Sequence, residues 1–121
     1  MEFTQQQAIY LQIADYVCEK ILQKEWKENN KIPSIRELAM QLEVNPNTVA
    51  KTYAQLETQK IIETQRGVGY FVTSNAYHEI LNLKKKHFLK THLPFLFKQM
   101  DLLSLSLQDL KNLYHEFKQS S

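Results

Sequence analysis

The sequence predicts a mainly α chain with one small β-hairpin, in which three helices and the hairpin form a domain and two further helices an appendage. Three observations carry that prediction. Ile9, Ile13, Val17 and Ile21 recur every four positions, two short helix signatures follow with only Glu43 to Asn45 between them, and both glycines of the chain, Gly67 and Gly69, fall in one loop between two β-prone runs.

The elements follow in order. From Gln5 to about Glu25 the four-residue recurrence, widened by Tyr10, Tyr16 and Leu22, is the apolar stripe of an amphipathic first helix. Residues 27–33 read as a polar loop. Ser34 and Glu37 then have the spacing of a capping box, in which each side chain satisfies the other's free backbone N–H, and Leu38, Ala39 and Leu42 give a short second helix its apolar face. Asn45 is a preferred N-cap and Pro46 at the next position loses nothing, because its missing N–H would be unpaired there. Val44 and Val49 occupy the hydrophobic-staple positions, and Val49, Tyr53 and Leu56 continue a buried stripe along a third helix. Two helices joined this tightly read as a helix-turn-helix. Ile61–Thr64 and Tyr70–Thr73 are the hairpin strands, and the loop between them uses glycine where positive φ or close approach is required. Three helices and such a hairpin make a winged helix, α+β only through its small wing. After Asn75 the chain turns helical again from residue 77 to about 102, with Pro94 expected to kink or restart the helix near His92 and Leu93. Ser106 and Asp109 start a last helix whose face is Leu107, Leu110, Tyr114 and Phe117. The expected division is residues 1–75 for the winged-helix domain and 76–121 for the helical appendage.

Composition narrows the function. The chain has 121 residues, 43% of them hydrophobic, enough for one core, and its single cysteine, Cys18, excludes an intramolecular disulfide. The start lacks the basic and apolar regions of a signal peptide, and no apolar run approaches membrane-spanning length, so a cytoplasmic location is expected. Residues 1–74 carry eight Lys/Arg against nine Asp/Glu, and residues 75–121 carry seven against four. Any nucleic-acid surface must therefore be a local patch. The chain has no glycine-rich phosphate loop and no nucleophile with a base, which argues against an enzyme. His78, His87, His92 and His115 lack metal-ligand spacing, so neither metal nor organic cofactor is expected.

Residues 8–73 resemble the GntR family of bacterial regulators. The resemblance is carried by Ile9-Tyr10-Leu11-Gln12-Ile13, by Ile32-Pro33-Ser34-Ile35-Arg36-Glu37-Leu38-Ala39, by Val44-Asn45-Pro46-Asn47-Thr48-Val49, and by Arg66-Gly67-Val68-Gly69-Tyr70-Phe71-Val72. The Asn-Pro-Asn-Thr-Val wording and the short tail are similar to the YtrA subfamily. The resemblance implies a winged helix-turn-helix DNA-binding domain, dimerisation through C-terminal helices, and an inverted-repeat operator of double-stranded DNA. By the same resemblance Ser34 and Arg36 start the second helix at the phosphates and groove edge, Asn45, Asn47, Thr48 and Lys51 lie at the exposed start of the recognition helix, and Arg66, Gly67 and Gly69 form the wing tip. Many relatives have arginine where this chain has Pro46 and Ala50, which leaves base readout to Asn47, Thr48 and Lys51. The family's usual glycines stand here as Lys24, Asn29, Glu43 and Lys60. The tail is short beside the effector-binding domains of other branches, so no small-molecule effector is assigned.

Each site residue also has a plainer reading. Asn45 serves as a cap whether or not it meets DNA, and Arg36 and Arg66 would otherwise be solvated surface charges. Asn can pair with an adenine edge, Lys with guanine or phosphate, and Thr offers a hydroxyl or a methyl. Lys84, Lys85, Lys86 and Lys90 read as a solvated helix face, and Cys18 as a core residue. A winged helix used only for protein assembly or RNA would not need Asn47, Thr48, Lys51 and Arg66 together. In the tail, Leu81, Phe88, Leu89, Leu93, Phe95, Leu96, Met100, Leu103 and Leu107 are more apolar surface than two helices can hide from each other, which points to a homodimer interface.

Overall fold

The computed structural model describes residues 1–3 and 7–121. The described elements run α1 (Ile9–Leu22), α2 (Ile35–Leu42), α3 (Pro46–Thr58), β1 (Ile62–Gln65), β2 (Gly69–Val72), α4 (Ala76–Leu102) and α5 (Leu107–Ser120). The expected helix start at Gln5 lies outside the described residues, and α1 ends at Leu22, three residues before the expected Glu25, because Lys24 turns left-handed at φ 62°.

The chain divides into two compact units, Met1–Asn82 and Leu83–Ser121. In the first, α3 packs against α1, α2 and β1. Its core takes Ile13, Val17 and Ile21 from α1, Leu38 from α2, and Val49, Tyr53 and Leu56 from α3. Ile61, Ile62 and Val72 close it from the hairpin, and Ala76 and Ile80 from the first turns of α4. Cys18 is buried in the same core. The two strands are antiparallel, with Ile62 opposite Val72 and Gln65 opposite Gly69.

Local chemistry explains the helix ends. Ser34 Oγ accepts from the Glu37 N–H at 3.1 Å while Glu37 Oε1 accepts from the Ser34 N–H at 2.9 Å, completing the capping box. Asn45 Oδ1 accepts from the Asn47 N–H at 2.8 Å, with Pro46 at the first helical position. Ser106 and Asp109 repeat the box at α5. All four residues standing where the resemblance would put glycine are left-handed, with φ 62° at Lys24, 68° at Asn29, 56° at Glu43 and 63° at Lys60. Asparagine tolerates that region; each of the others costs about 1 kcal/mol relative to glycine.

One expectation is corrected and a second is narrowed. Residues 27–33 are more than a polar loop: Ile32 N–H donates to the Tyr70 carbonyl at 3.0 Å, Val72 N–H to the Asn30 carbonyl at 3.0 Å, and Lys31 bridges Phe71. The segment thus lines the second edge of β2. Of the kink or restart expected at Pro94, the restart does not occur, since α4 runs through it from Ala76 to Leu102. Proline removes one helical hydrogen bond, and both Pro94 and Lys90, whose carbonyl loses its partner, are exposed, so water can satisfy that carbonyl.

In the second unit only Met100 is buried, Leu93, Leu96 and Leu110 are half-buried, and α5 has no buried residue. Phe95 is 64% exposed, Leu103 62% and Leu107 76%. Among the described residues no helix is long and apolar enough to cross a membrane.

Candidate nucleic-acid interface

The framework of the candidate site is α2, the turn Glu43–Asn45, α3 and the hairpin, and Tyr53 braces it. The Tyr53 ring is fully buried, packs edge-on against Tyr70 of β2 with centroids 4.8 Å apart, and its hydroxyl donates to the Pro33 carbonyl at 2.7 Å. One α3 side chain therefore ties that helix to the hairpin and to the segment entering α2. Burial pushes the Tyr53 hydroxyl above the ordinary tyrosine range, with smaller pushes from Tyr70, Glu37 and Tyr16, so it stays protonated and donating. On the opposite flank Thr52, also fully buried, donates to the Tyr10 carbonyl at 2.7 Å and locks α3 to α1.

On this framework the expected residues stand as follows. Ser34 is half-buried at the α2 start, and because its oxygen already accepts from Glu37, its O–H is left to donate outward. Arg36, two residues on, is exposed and shares a shallow hollow with Met40, Glu43, Val44 and Pro46, so the structure brings α2 and the first residue of α3 to one patch. Asn45 is committed to its capping hydrogen bond. Asn47 is exposed and Thr48 half-buried. At the wing, Arg66 is exposed and Val68 N–H donates to the Gln65 carbonyl at 2.9 Å, closing a tight turn. Gly67 holds φ 76° there with no neighbour near its missing Cβ, so it is needed for conformation. Gly69, at φ 142°, also holds a conformation that side chains disfavour, and a Cβ there would in addition lie 2.9 Å from Lys31 Cε.

Among the described residues no hydrogen bond or ion pair occupies the Asn47 amide or the guanidinium groups of Arg36 and Arg66, and the one ion pair, Lys20 with Glu25, lies in and just after α1. These polar heads are available to a ligand. Lys51 is not aimed as simply as its sequence position suggests. It is exposed, but its Nζ sits 4.0 Å from the centroid of the Tyr10 ring, a cation–π contact that competes with any partner outside the chain.

Two residues escaped the sequence reading. Met40 is 79% exposed beside Arg36, and the signal was present, since the two are four apart on one helix face. Lys31 lies against the wing through a pairing to β2 that no local pattern announces. The Glu37 carboxyl is held below the ordinary glutamate range, first by the hydrogen bonds with Ser34 and then by nearby Lys31. Among the described residues no group of three or more His, Cys, Asp or Glu is placed to hold a metal ion.

Comparison with known proteins agrees with this geometry. The bacterial regulatory proteins of the gntR family match residues 9–72. The HTH-type transcriptional regulator YhcF of Bacillus subtilis (strain 168) is 38% identical over 90% of this chain and 88% of its own length. The HTH-type transcriptional repressor YtrA of the same organism is 47% identical over 56% of this chain and 52% of its own. A crystal structure of a GntR-family regulator from Bacteroides thetaiotaomicron superposes with a TM-score of 0.84 at 42% identity, covering 93% of this chain and 98% of that one. With the winged helix, its caps and its unpaired polar heads in place, the chain belongs to the GntR family of DNA-binding bacterial transcriptional regulators, in its YtrA-like part.

Proposed function

We propose that the chain is a homodimeric repressor that binds an inverted-repeat operator, with the start of α3 in the major groove and the wing at the backbone or minor groove. The observation that carries the reading is the pairing of a rigid framework with idle polar heads. Tyr53 fixes α2, α3 and the wing relative to one another, while the Arg36, Asn47 and Arg66 heads have no partner among the described residues. Asn47 stands at the second position of α3, where a helix entering the major groove presents side chains to base edges. Arg36 and Ser34, at the α2 start, suit phosphates, as does Arg66 at the turn.

Repression is favoured by the name of the relative YtrA, a transcriptional repressor. Dimerisation is favoured by the second unit, where Phe88, Phe95 and Leu103 are half or more exposed and α5 buries nothing. Residues 1–75 would read DNA and residues 76–121 carry dimerisation, while Ala76 and Ile80 also close the core of the first unit. Of the residues assigned to the interface, Met100 is only 8% exposed in one chain and has little left to offer a partner. Two linked modules gain affinity through effective concentration, which one short recognition helix lacks. A DNA-binding repressor works beside the chromosome, hence in the cytoplasm.

The test is enrichment of binding sites from a pool of random-sequence duplexes, with sedimentation of the protein alone and bound. The proposal expects an inverted repeat bound by two copies. Enrichment of a single half-site, or a monomer at micromolar concentration, would overturn the dimer, and no enrichment at all would overturn the operator.

A further inference from the structure

The segment between α1 and α2 departs most from what its sequence announces, and it places a cation where none was assigned. Asn30 and Ile32 share backbone hydrogen bonds with Val72 and Tyr70, so Lys31 faces Phe71 across an antiparallel bridge. Side chains alternate along such an edge. Ile32 enters the core at 3% exposure, and Lys31 takes the opposite, solvent side. Gly69, two residues before Phe71 in β2, shares that outer side, and its missing Cβ leaves the gap over which Lys31 lies, with Cε at 2.9 Å and Nζ at 3.6 Å from where the Cβ would be. Three residues beyond Lys31 the chain reaches Ser34, the first residue of α2's capping box. The Lys31 ammonium has no ion pair among the described residues.

We infer that Lys31 is a backbone-contacting residue that binds a phosphate of duplex DNA between the start of α2 and the wing, its stem lying over the bare backbone that Gly69, at φ 142°, leaves there. The inference rests on the DNA-binding reading above and extends its surface. Both neighbours of Lys31, the α2 start and the wing, belong to the proposed interface, so a cation spanning them faces the same sugar–phosphate chain. A stem resting on the wing backbone has lost part of its rotamer freedom before DNA arrives, which lowers the ordering cost of the contact. An ammonium on a phosphate carries charge and no base information, so its contribution is uniform across sequences and strongly dependent on salt.

The experiment compares the full-length chain with Lys31→Gln, Lys31→Arg and Arg66→Ala, on a mixed-sequence duplex and on the enriched site, across a salt series. Lys31→Gln is expected to weaken both complexes by the same factor and to lower the salt slope by about 0.9. The gap from the parent should therefore narrow about 3.5-fold between 50 and 200 mM salt. Lys31→Arg should restore the slope, and the thermal midpoint of Lys31→Gln should match the parent. Gly69→Ala should cost more binding in the parent than in the Lys31→Gln background, because only in the parent does the new methyl displace an ammonium. An unchanged slope for Lys31→Gln, alongside a reduced slope for Arg66→Ala, overturns this inference and leaves the DNA-binding reading standing. So does a lowered midpoint with unchanged binding, which makes Lys31 a structural cover for Gly69. If the parent binds neither duplex, both fall.

Discussion

Replacing Tyr53 by phenylalanine removes one oxygen atom from the centre of the DNA-binding domain and leaves the ring in place. The ring stays packed edge-on against Tyr70, so no cavity of consequence forms, and what is lost is the 2.7 Å hydrogen bond to the Pro33 carbonyl. A neutral hydrogen bond contributes about 1 kcal/mol net, and stranding a buried acceptor costs about 1–3 kcal/mol. Pro33 is half-buried, so water can reach part of its carbonyl, and the loss belongs near the lower end, about 1–1.5 kcal/mol. That corresponds to about half to one molar in the urea midpoint for an ordinary slope, and the slope itself should not change, since the surface exposed on unfolding is the same. The assay is urea unfolding at one fixed protein concentration, which removes the mass-action effect of dimerisation. Duplex binding is read in parallel and should weaken, because the segment entering α2, with Ser34 and Arg36, loses its tie to α3. The reasoning is refuted if Tyr53→Phe unfolds within about 0.3 kcal/mol of the parent, or if it loses the full stability cost with no change in DNA binding.

The other expectations are more local. Asn47→Ala should lose discrimination at one half-site position by about 1–3 kcal/mol while nonspecific binding is retained, and quantitative footprinting on point-varied sites shows whether it does. Lys60→Gly should relieve the φ of 63° and stabilise the domain by up to about 1 kcal/mol, less the extra freedom glycine gains when unfolded, read as a rise in the thermal midpoint. Phe95→Glu combined with Leu103→Glu should leave the first unit folded by circular dichroism and shift sedimentation from dimer to monomer, since both side chains are more than half exposed in one chain. Glu37 titrates below its ordinary 4.5 in the folded chain, so its cap contributes fully above that value and is lost as pH falls through the depressed one. Glu37→Gln should therefore differ most from the parent near neutrality, with the two unfolding midpoints converging in acid.

Much of this protein is legible along the chain because its signals are satisfied within a few residues. The box of Ser34 and Glu37, the cap of Asn45 before Pro46, and the turn that needs Gly67 involve partners at most three positions apart, so residue type and spacing determine them. The same holds for the stripe of Val49, Tyr53 and Leu56, whose period alone marks the buried face of α3. The family motifs carried the left-handed positions as well, since Lys24, Asn29, Glu43 and Lys60 stand where glycine is usual and all adopt the geometry glycine serves.

What only the tertiary structure decided involves partners far apart in the chain. Nothing in residues 29–32 marks them as strand-like. They pair because β2, some forty residues later, presents an open edge, and the cost of closing that loop is met by core burial elsewhere. That pairing moved Lys31 from a linker to the wing and laid its stem over Gly69, a contact that adds to the positive φ both glycines share. Lys51 met the Tyr10 ring only because α1 packs against α3. Pro94 shows the converse: its local preference to end a helix was overridden, because one carbonyl can turn to water while the residues on both sides remain helical. Sequence fixes what a residue can satisfy by itself or with its immediate neighbours. The fold decides which distant group it meets, because that choice depends on the free energy of the whole packed core and not on any one residue's preference.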